Sequence, residues 1–289
     1  GVCIAITAFR WARLDGERRA TALQTAMEEN ALPRPRQDAY VSSNVCRSCH
    51  PGEYHSWHRT YHRTMTQTAR PENVLGRFDG TTVASRNLEY RVFQDGTTYW
   101  AEMPDPEELM YVVQGGKPTP LEAIPRVKRQ VVMTTGSHHY QTYWVAGDKK
   151  YGNLLQTLPL VFLPRHDRWI PREAAFMLPP GERRMVTQWN HHCIRCHSTG
   201  GVPGLNDDSA EGSFDTRVAE LGISCEACHG PAAQHVRKHH NPWTRYATRW
   251  EGDVDPTIVN LEYLGHRRKS KVCGQGQVVF SMEGDGGRK

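Results

Sequence analysis

Three copies of a Cys-x-x-Cys-His motif constrain this chain more than any other feature of its sequence. They lie at 46–50, 193–197 and 225–229 and use six of the eight cysteines in 289 residues. Two thiolates at this spacing form thioether bonds to both vinyl groups of one porphyrin, and the adjacent histidine ligates the iron. We therefore expect three covalent haems c. The predicted attachment and proximal residues are Cys46, Cys49, His50, Cys193, Cys196, His197, Cys225, Cys228 and His229.

A zinc site is the alternative interpretation of the cysteine pairs. Cys193 and Cys196 together with Cys225 and Cys228 are the ligand set of a tetrahedral zinc ion. That interpretation gives no role to the pair at 46 and 49, and no reason for a histidine after every pair. The haem interpretation explains all three pairs and is favoured.

The composition bears on the fold and on the class of partner. Hydrophobic residues make up 38% of the chain, with 25 glycines and 18 prolines, which indicates a modest side-chain core. We expect a mainly α and irregular multihaem cytochrome c fold, with a haem-filled core and a β-containing insert. The net charge of +5 comes from short runs of mixed sign, which argues against a nucleic-acid partner.

The chain is expected to comprise an N-terminal segment and one large domain. Residues 1–38 are predicted to be a helical arm or the remnant of an anchor, because an apolar run at 2–9 precedes helical spacing at 14–27. Cys3 is a candidate lipidation site, and a membrane tether through the N-terminus stays open. Residues 39–289 are expected to form the multihaem domain. Covalent haem attachment occurs outside the bacterial cytoplasm, which predicts a periplasmic or extracellular protein.

The β-containing insert is expected at about residues 72–180. Residues 87–103 are typical of a β-hairpin, with Asp95 and Gly96 at the turn. Further strands are expected at 129–135, 140–146 and 154–163.

Twelve histidines remain as candidate distal ligands of the irons. His55, His58 and His62 share one face if their segment is helical. His138 and His139 are adjacent in an expected strand and would point to opposite sides, so only one serves a given iron. Among the others, His235 follows a Gly-Pro turn, His191 and His192 are weaker candidates, and His239 and His240 are expected to be surface residues.

Several segments of the sequence resemble one family. They are 46–62, 135–141, 189–199, 214–216 and 220–231. They resemble the tetrahaem cytochromes c that include the electron acceptor of hydroxylamine oxidoreductase and the haem modules of tetratricopeptide-linked cytochromes. The resemblance implies bis-histidine haems in closely stacked pairs. It implies distal ligands at His62, His139 and His235.

The sequence departs from that family at its fourth haem motif. A Cys-x-x-Cys-His is expected there, but the chain has Cys273-Gly-Gln-Gly276 and keeps only the first cysteine. Cys273 is then either the single attachment point of a fourth haem or the relic of a lost one, and the relic is favoured.

The function predicted from these features is electron transfer through a chain of bis-histidine haems. An electron carrier is favoured over an enzyme, and the expected partners are redox proteins, either other cytochromes or copies of this chain. One alternative is a multihaem reductase of a small nitrogen or sulfur oxide, which needs one haem with an open axial site. Another is a structural subunit of a larger complex or filament.

Overall fold

The computed structural model describes residues 31–36, 38–85, 87–113, 119–176, 186–206, 212–252 and 254–277. The chain divides into two compact units. The sheet unit comprises Gly1–Arg34, Thr66–His192 and Pro203–Arg217. The motif unit comprises Pro35–Met65, Cys193–Val202 and Val218–Lys289. Most of the predicted N-terminal arm, including Cys3, lies outside the described residues, and the boundary at residue 38 stays a prediction.

The strands and helices are numbered here in chain order. The strands are β1 Arg34–Pro35, β2 Thr66–Thr68, β3 Asp79–Ser85, β4 Leu88–Asp95, β5 Thr98–Pro104, β6 Arg126–Thr135, β7 Gln141–Ala146, β8 Leu155–Leu163, β9 Arg168–Pro171, β10 Ser198–Thr199, β11 Leu205–Asn206, β12 Ser213–Phe214, β13 Arg217–Val218 and β14 Glu220–Leu221. The α-helices are α1 Ser43–Arg47, α2 Pro51–His58, α3 Pro106–Val113, α4 Arg172–Ala175, α5 Ile194–His197, α6 Cys225–His229, α7 Ala233–His239, α8 Pro242–Glu251 and α9 His266–Gln277. Single 3-10 turns lie at Arg63–Met65, Leu121–Ala123, Lys149–Tyr151, Pro164–His166 and Leu261–Tyr263, and a π-helical turn at Trp189–Cys193.

The sheet unit is built on one eight-stranded antiparallel sheet. Seven strands follow the chain order β3-β4-β5-β6-β7-β8-β9, and β2 pairs with the C-terminal end of β6. The predicted hairpin is confirmed, since β4 and β5 pair in the register Asp95 to Thr98 across the turn. Gly96 occupies that turn with φ of 59°, a conformation that glycine adopts without steric cost. Strands β6, β7 and β8 confirm the three further strands expected from the sequence.

The sheet encloses a core made of side chains. Tyr90, Met103 and Leu158 are fully buried, as expected where alternate residues of each strand face inward. Phe78 forms the aromatic centre of this core, with its ring centroid 4.9 Å from that of Tyr99. Such edge-to-face contacts stabilise a core beyond the area they bury.

The expected fold class, mainly α and irregular with a haem-filled core, is wrong. The large antiparallel sheet and its own apolar cluster make this a mixed α and β fold. The low hydrophobic fraction of the whole chain was misleading, because the apolar residues are concentrated between residues 78 and 162. An average over the chain dilutes this cluster with the polar helices and loops elsewhere.

Within the described residues, every helix is too short or too polar to cross a lipid bilayer.

Truncation of Leu158 tests the side-chain core of the sheet unit. Leu158→Ala removes a fully buried side chain from β8, and we expect the free energy of unfolding to fall by about 2–5 kcal/mol. Denaturant unfolding followed by the circular dichroism of the strands measures this loss. The control is Leu75→Ala, at a side chain that is 41% exposed, with an expected change within about 0.5 kcal/mol. Equal effects of the two variants would show that the sheet core does not carry the stability of this unit.

Candidate haem sites

All three Cys-x-x-Cys-His motifs lie in the motif unit, although 142 residues separate the first from the second in the sequence. Each motif includes a short helix, namely α1, α5 and α6. Helix α1 begins after Ser42, whose hydroxyl accepts a hydrogen bond from the Asn44 N–H at 3.2 Å. This N-cap satisfies one backbone donor that a helix start leaves unpaired.

The first and third motifs are neighbours at their first cysteines. The side chains of Cys46 and Cys225 are hydrogen-bonded to each other. This hydrogen bond, and burial after it, raise the pKa of the Cys46 thiol well above its ordinary value. The two thiols are the predicted attachment points of two different haems, so those two attachment points lie side by side.

Two carboxylates bind the backbone around these two motifs. Glu226, inside the third motif, accepts from the Val41 N–H at 2.9 Å and from the Ala232 N–H at 2.8 Å. Glu220 accepts from the Ser43 N–H at 3.0 Å, at the start of α1. Burial raises the pKa of Glu226, and the backbone hydrogen bonds partly offset this rise. The residues before the first motif and after the third are thus fixed to one α6 side chain.

The second motif is joined to the third through β10 and β14, which pair directly. The Thr199 hydroxyl donates to the Gly222 carbonyl at 2.9 Å and accepts from the Ser224 N–H at 2.8 Å. Gly222 has φ of 75°, and a Cβ there would lie 2.6 Å from the Arg63 carbonyl oxygen. A glycine is required because both the backbone angle and the space exclude a side chain.

Two proximal histidines have environments that suit iron ligation. The His229 Nδ1–H donates to the Val259 carbonyl at 2.8 Å, which leaves Nε2 with its lone pair. The Val259 N–H donates back to the His229 carbonyl at 3.0 Å. Burial lowers the pKa of His197 and so favours the neutral imidazole that binds metals. Within the described residues, His197 Nδ1 is buried without a hydrogen-bond partner.

The rings of His50 and His235 are neighbours at a spacing that fits one iron. Their ring centroids are 6.3 Å apart and the rings are inclined by 27°. Two imidazoles bound to one metal from opposite faces, through bonds of about 2 Å, place their centroids about 6 Å apart. His235 Nδ1 lies 2.7 Å from Asp255 Oδ2, so its Nε2 is the nitrogen left for a metal. The donor set of the first motif therefore fits a bis-histidine haem.

His62 and His139, the other two predicted distal ligands, belong to different units. His62 lies in the motif unit, where its carbonyl accepts from the Ile223 N–H at 2.9 Å, and its side chain is exposed. His139 lies in the sheet unit. Their roles as distal ligands stay predictions. His55 and His58 are exposed on α2 and line a cavity of about 400 Å³ together with Arg47, Pro51 and Tyr54.

Two expectations about the remaining histidines are wrong. His138 and His139 lie in the loop between β6 and β7, with ring centroids 4.0 Å apart, and so do not alternate across a strand. The glycine at 136, with φ of 86°, ends β6 before these residues. The side chain of His239 is only 13% exposed, because its Nε2 bonds to Asp255 at 2.7 Å. His240 is exposed, as expected, and the rings of His191 and His192 lie in the sheet unit.

The sequence interpretation missed three groups around the motifs. Glu226, Asp255 and the Val259 carbonyl each bind a motif segment or a candidate ligand. Glu226 lies between the two cysteines of the third motif, and a carboxylate is rarely buried unless it is paired. Its position was therefore a weak signal that it binds other groups. Nothing in the sequence pointed to the other two.

Comparison with known proteins supports the haem interpretation of the motifs. The model of the family described as Cytochrome c554 and c-prime matches residues 45–86 and 177–230, which contain all three motifs. No curated protein sequence matches the chain. Together with the three motifs, the match supports a multihaem c-type cytochrome, a class of protein that binds haem c covalently.

Two solved structures are similar to this chain. The outer cell wall cytochrome OcwA is 20% identical, with a TM-score of 0.46, over 82% of this chain and 37% of its own. The undecahaem cytochrome from the S-layer of Carboxydothermus ferrireducens is 15% identical, with a TM-score of 0.39, over 83% of this chain and 26% of its own. The chain thus spans well under half the length of either protein.

Substitution of Glu226 tests the carboxylate that binds the first and third motifs. Glu226→Ala leaves the N–H groups of Val41 and Ala232 without their acceptor, and we expect the motif unit to lose about 1–3 kcal/mol of stability. Unfolding of the purified holoprotein, followed by haem absorption, measures the loss. Glu262→Ala, which removes an exposed carboxylate from the same unit, is the matched control and should leave the curve unchanged. A Glu226 variant as stable as the control would contradict this role.

Proposed function

We propose that this chain is an electron-transfer protein that carries three covalent bis-histidine haems. The observation that carries the proposal is the assembly of all three motifs in one unit, with the ring of His235 6.3 Å from that of the proximal His50. A haem with two histidine ligands keeps its coordination fixed when it changes oxidation state. Fixed coordination suits electron transfer and leaves no iron position for a substrate.

The contact between the first and third motifs supports transfer between haems. Cys46 and Cys225 are hydrogen-bonded neighbours, so haems attached to them are anchored close together. Close anchoring favours fast electron exchange, and it accords with the stacked haem pairs that the resemblance to tetrahaem cytochromes implies. Membership of that subfamily, with distal ligands at His62 and His139, is part of the proposal.

Each haem supplies a one-electron iron couple, and the chain's own residues set its surroundings. His50, His197 and His229 would each bind an iron from the motif side. The Val259 carbonyl orients His229 through Nδ1, and burial keeps His197 neutral. The Val259 contact holds His229 in one tautomer, which limits rearrangement when an electron arrives.

The cell location and partners follow from the chemistry of attachment. Thioether formation requires export, so we propose that the protein works in the periplasm or outside the cell. Its proposed partners are redox proteins, either other cytochromes or copies of this chain.

The number of covalent haems is tested by the intact mass of the purified protein. We expect the mass of the polypeptide plus three haems, because three motifs are complete and Cys273 lacks a second cysteine and a histidine. Cys273→Ala should keep three haems, whereas the matched variant Cys228→Ala should lose attachment at the third motif. A fourth haem that disappears in Cys273→Ala would overturn the count.

Removal of His235 tests its assignment as the second ligand of the first haem. His235→Ala should open one axial site, so that one haem becomes high-spin and binds cyanide, while the wild-type spectrum stays unchanged by cyanide. His240→Ala is the control, since it removes an exposed histidine from the same segment. A wild-type protein that binds cyanide would instead favour a reductase with an open haem. A His235 variant that binds no cyanide would remove this ligand assignment.

A further inference from the structure

The Asp255 carboxylate is the centre of a hydrogen-bond cluster beside His235. Its Oδ2 accepts from His235 Nδ1 and from His239 Nε2, both at 2.7 Å. Its Oδ1 accepts from the Lys238 ammonium at 3.0 Å, from the Thr257 N–H at 3.0 Å and from the Thr257 hydroxyl at 2.7 Å. The Asp255 side chain is only 9% exposed, so these five donors replace the water that an exposed carboxylate would bind.

The carboxylate decides which nitrogen of His235 is able to bind a metal. An ionised carboxylate only accepts hydrogen bonds, so the His235 Nδ1 beside it must carry the proton. In a neutral imidazole the lone pair then lies on Nε2. A histidine whose second nitrogen donates to a carboxylate is also a more basic ligand than one that donates to water.

The same carboxylate distinguishes His235 from its neighbour on the helix. His239 lies one turn further along α7, and the two ring centroids are 4.7 Å apart. The two imidazoles are therefore alternative candidates for the same iron. His239 uses Nε2 for Asp255 and His235 uses Nδ1, so the Nε2 lone pair is available on His235 alone of the two.

We propose that Asp255 is a positioning residue of the first haem, which fixes His235 in its ligating tautomer and lowers the reduction potential of that haem. The inference rests on the proposed function, in which His235 binds this iron opposite His50. A more basic axial ligand stabilises ferric over ferrous iron, which moves the potential downward. Asp255 acts on the iron through its hydrogen bond to His235.

The three side chains His235, His239 and Asp255 also have a geometry in which a metal ion could be bound directly. The Lys238 ammonium disfavours this use, because it already places a positive charge 3.0 Å from Asp255 Oδ1. A second cation at the same carboxylate would be repelled. The cluster is better matched to holding a ligand for the haem iron.

The substitution Asp255→Asn tests the proposal in the holoprotein. Asparagine keeps the size of the side chain but replaces one acceptor oxygen with a donor amide, which weakens the bond to His235. We expect the midpoint potential of one haem to rise while the others stay unchanged. We also expect that ferric haem to bind cyanide at concentrations that leave the wild-type spectrum unchanged, since a weaker His235–iron bond is displaced more easily.

The matched control is Asp167→Asn, which removes the same charge from the sheet unit. Asp167 is an exposed carboxylate that pairs with Arg77 at 3.1 Å. A potential and a cyanide affinity that are the same in both variants would overturn the role of Asp255. Asp255→Glu keeps an acceptor, and we expect it to restore the potential in part. A merely structural role of Asp255 gives no reason for the potential of Asp255→Glu to lie between those of the wild type and Asp255→Asn.

A measurement on the unsubstituted protein covers the case in which Asp255→Asn does not fold. In the reduced, diamagnetic holoprotein, proton NMR should show a slowly exchanging imidazole N–H for His235, because Asp255 holds that proton. Exchange as fast as that of an exposed imidazole would overturn the proposal. The two failures are distinguishable. If His235→Ala gains no cyanide-binding haem, the assignment of His235 as a ligand is wrong. If His235→Ala does gain one, but Asp255→Asn changes neither the potential nor the cyanide binding, only the role of Asp255 is wrong.

Discussion

The motif unit depends on buried polar side chains that bind backbone groups from distant parts of the sequence. Glu226 joins the segments at 41 and 232, and Thr199 joins the second motif to the turn before the third. Among the described residues of this unit, the buried apolar side chains are few, namely Ile194, Val218 and Ala232. Hydrogen bonds of this kind are directional, so they set where each cysteine pair lies more sharply than apolar contacts would.

The two units achieve their stability by different means. In the sheet unit, eight strands bury aromatic and aliphatic side chains around Phe78, and this burial of apolar surface favours folding. In the motif unit, the three histidines that follow the cysteine pairs have surroundings that suit metal ligands. A backbone carbonyl accepts from His229, burial lowers the pKa of His197, and the ring of His50 lies 6.3 Å from that of His235. Neutral imidazoles are the form that binds a metal.

The sequence was sufficient for features that depend on local chemistry. The motifs, the hairpin around Gly96 and the strands up to residue 163 follow from spacing and periodicity, and the structure has these strands and this turn. The fold class was wrong because the composition of the whole chain conceals an apolar cluster confined to one unit. Asp255 and Val259 were beyond prediction, since each acts through a contact across 20 or 30 residues that no local pattern encodes.

The position of Asp255 suggests why the region after the third motif is part of the site, although it contains no attachment motif of its own. The chain from α7 to Val259 supplies a candidate distal ligand, the carboxylate that orients it and the carbonyl that orients His229. One short segment thus contacts groups of both the first and the third motif, whose first cysteines are hydrogen-bonded. On the proposed assignment, this segment orients one histidine ligand of each of the two haems, so the site extends beyond the attachment motifs themselves.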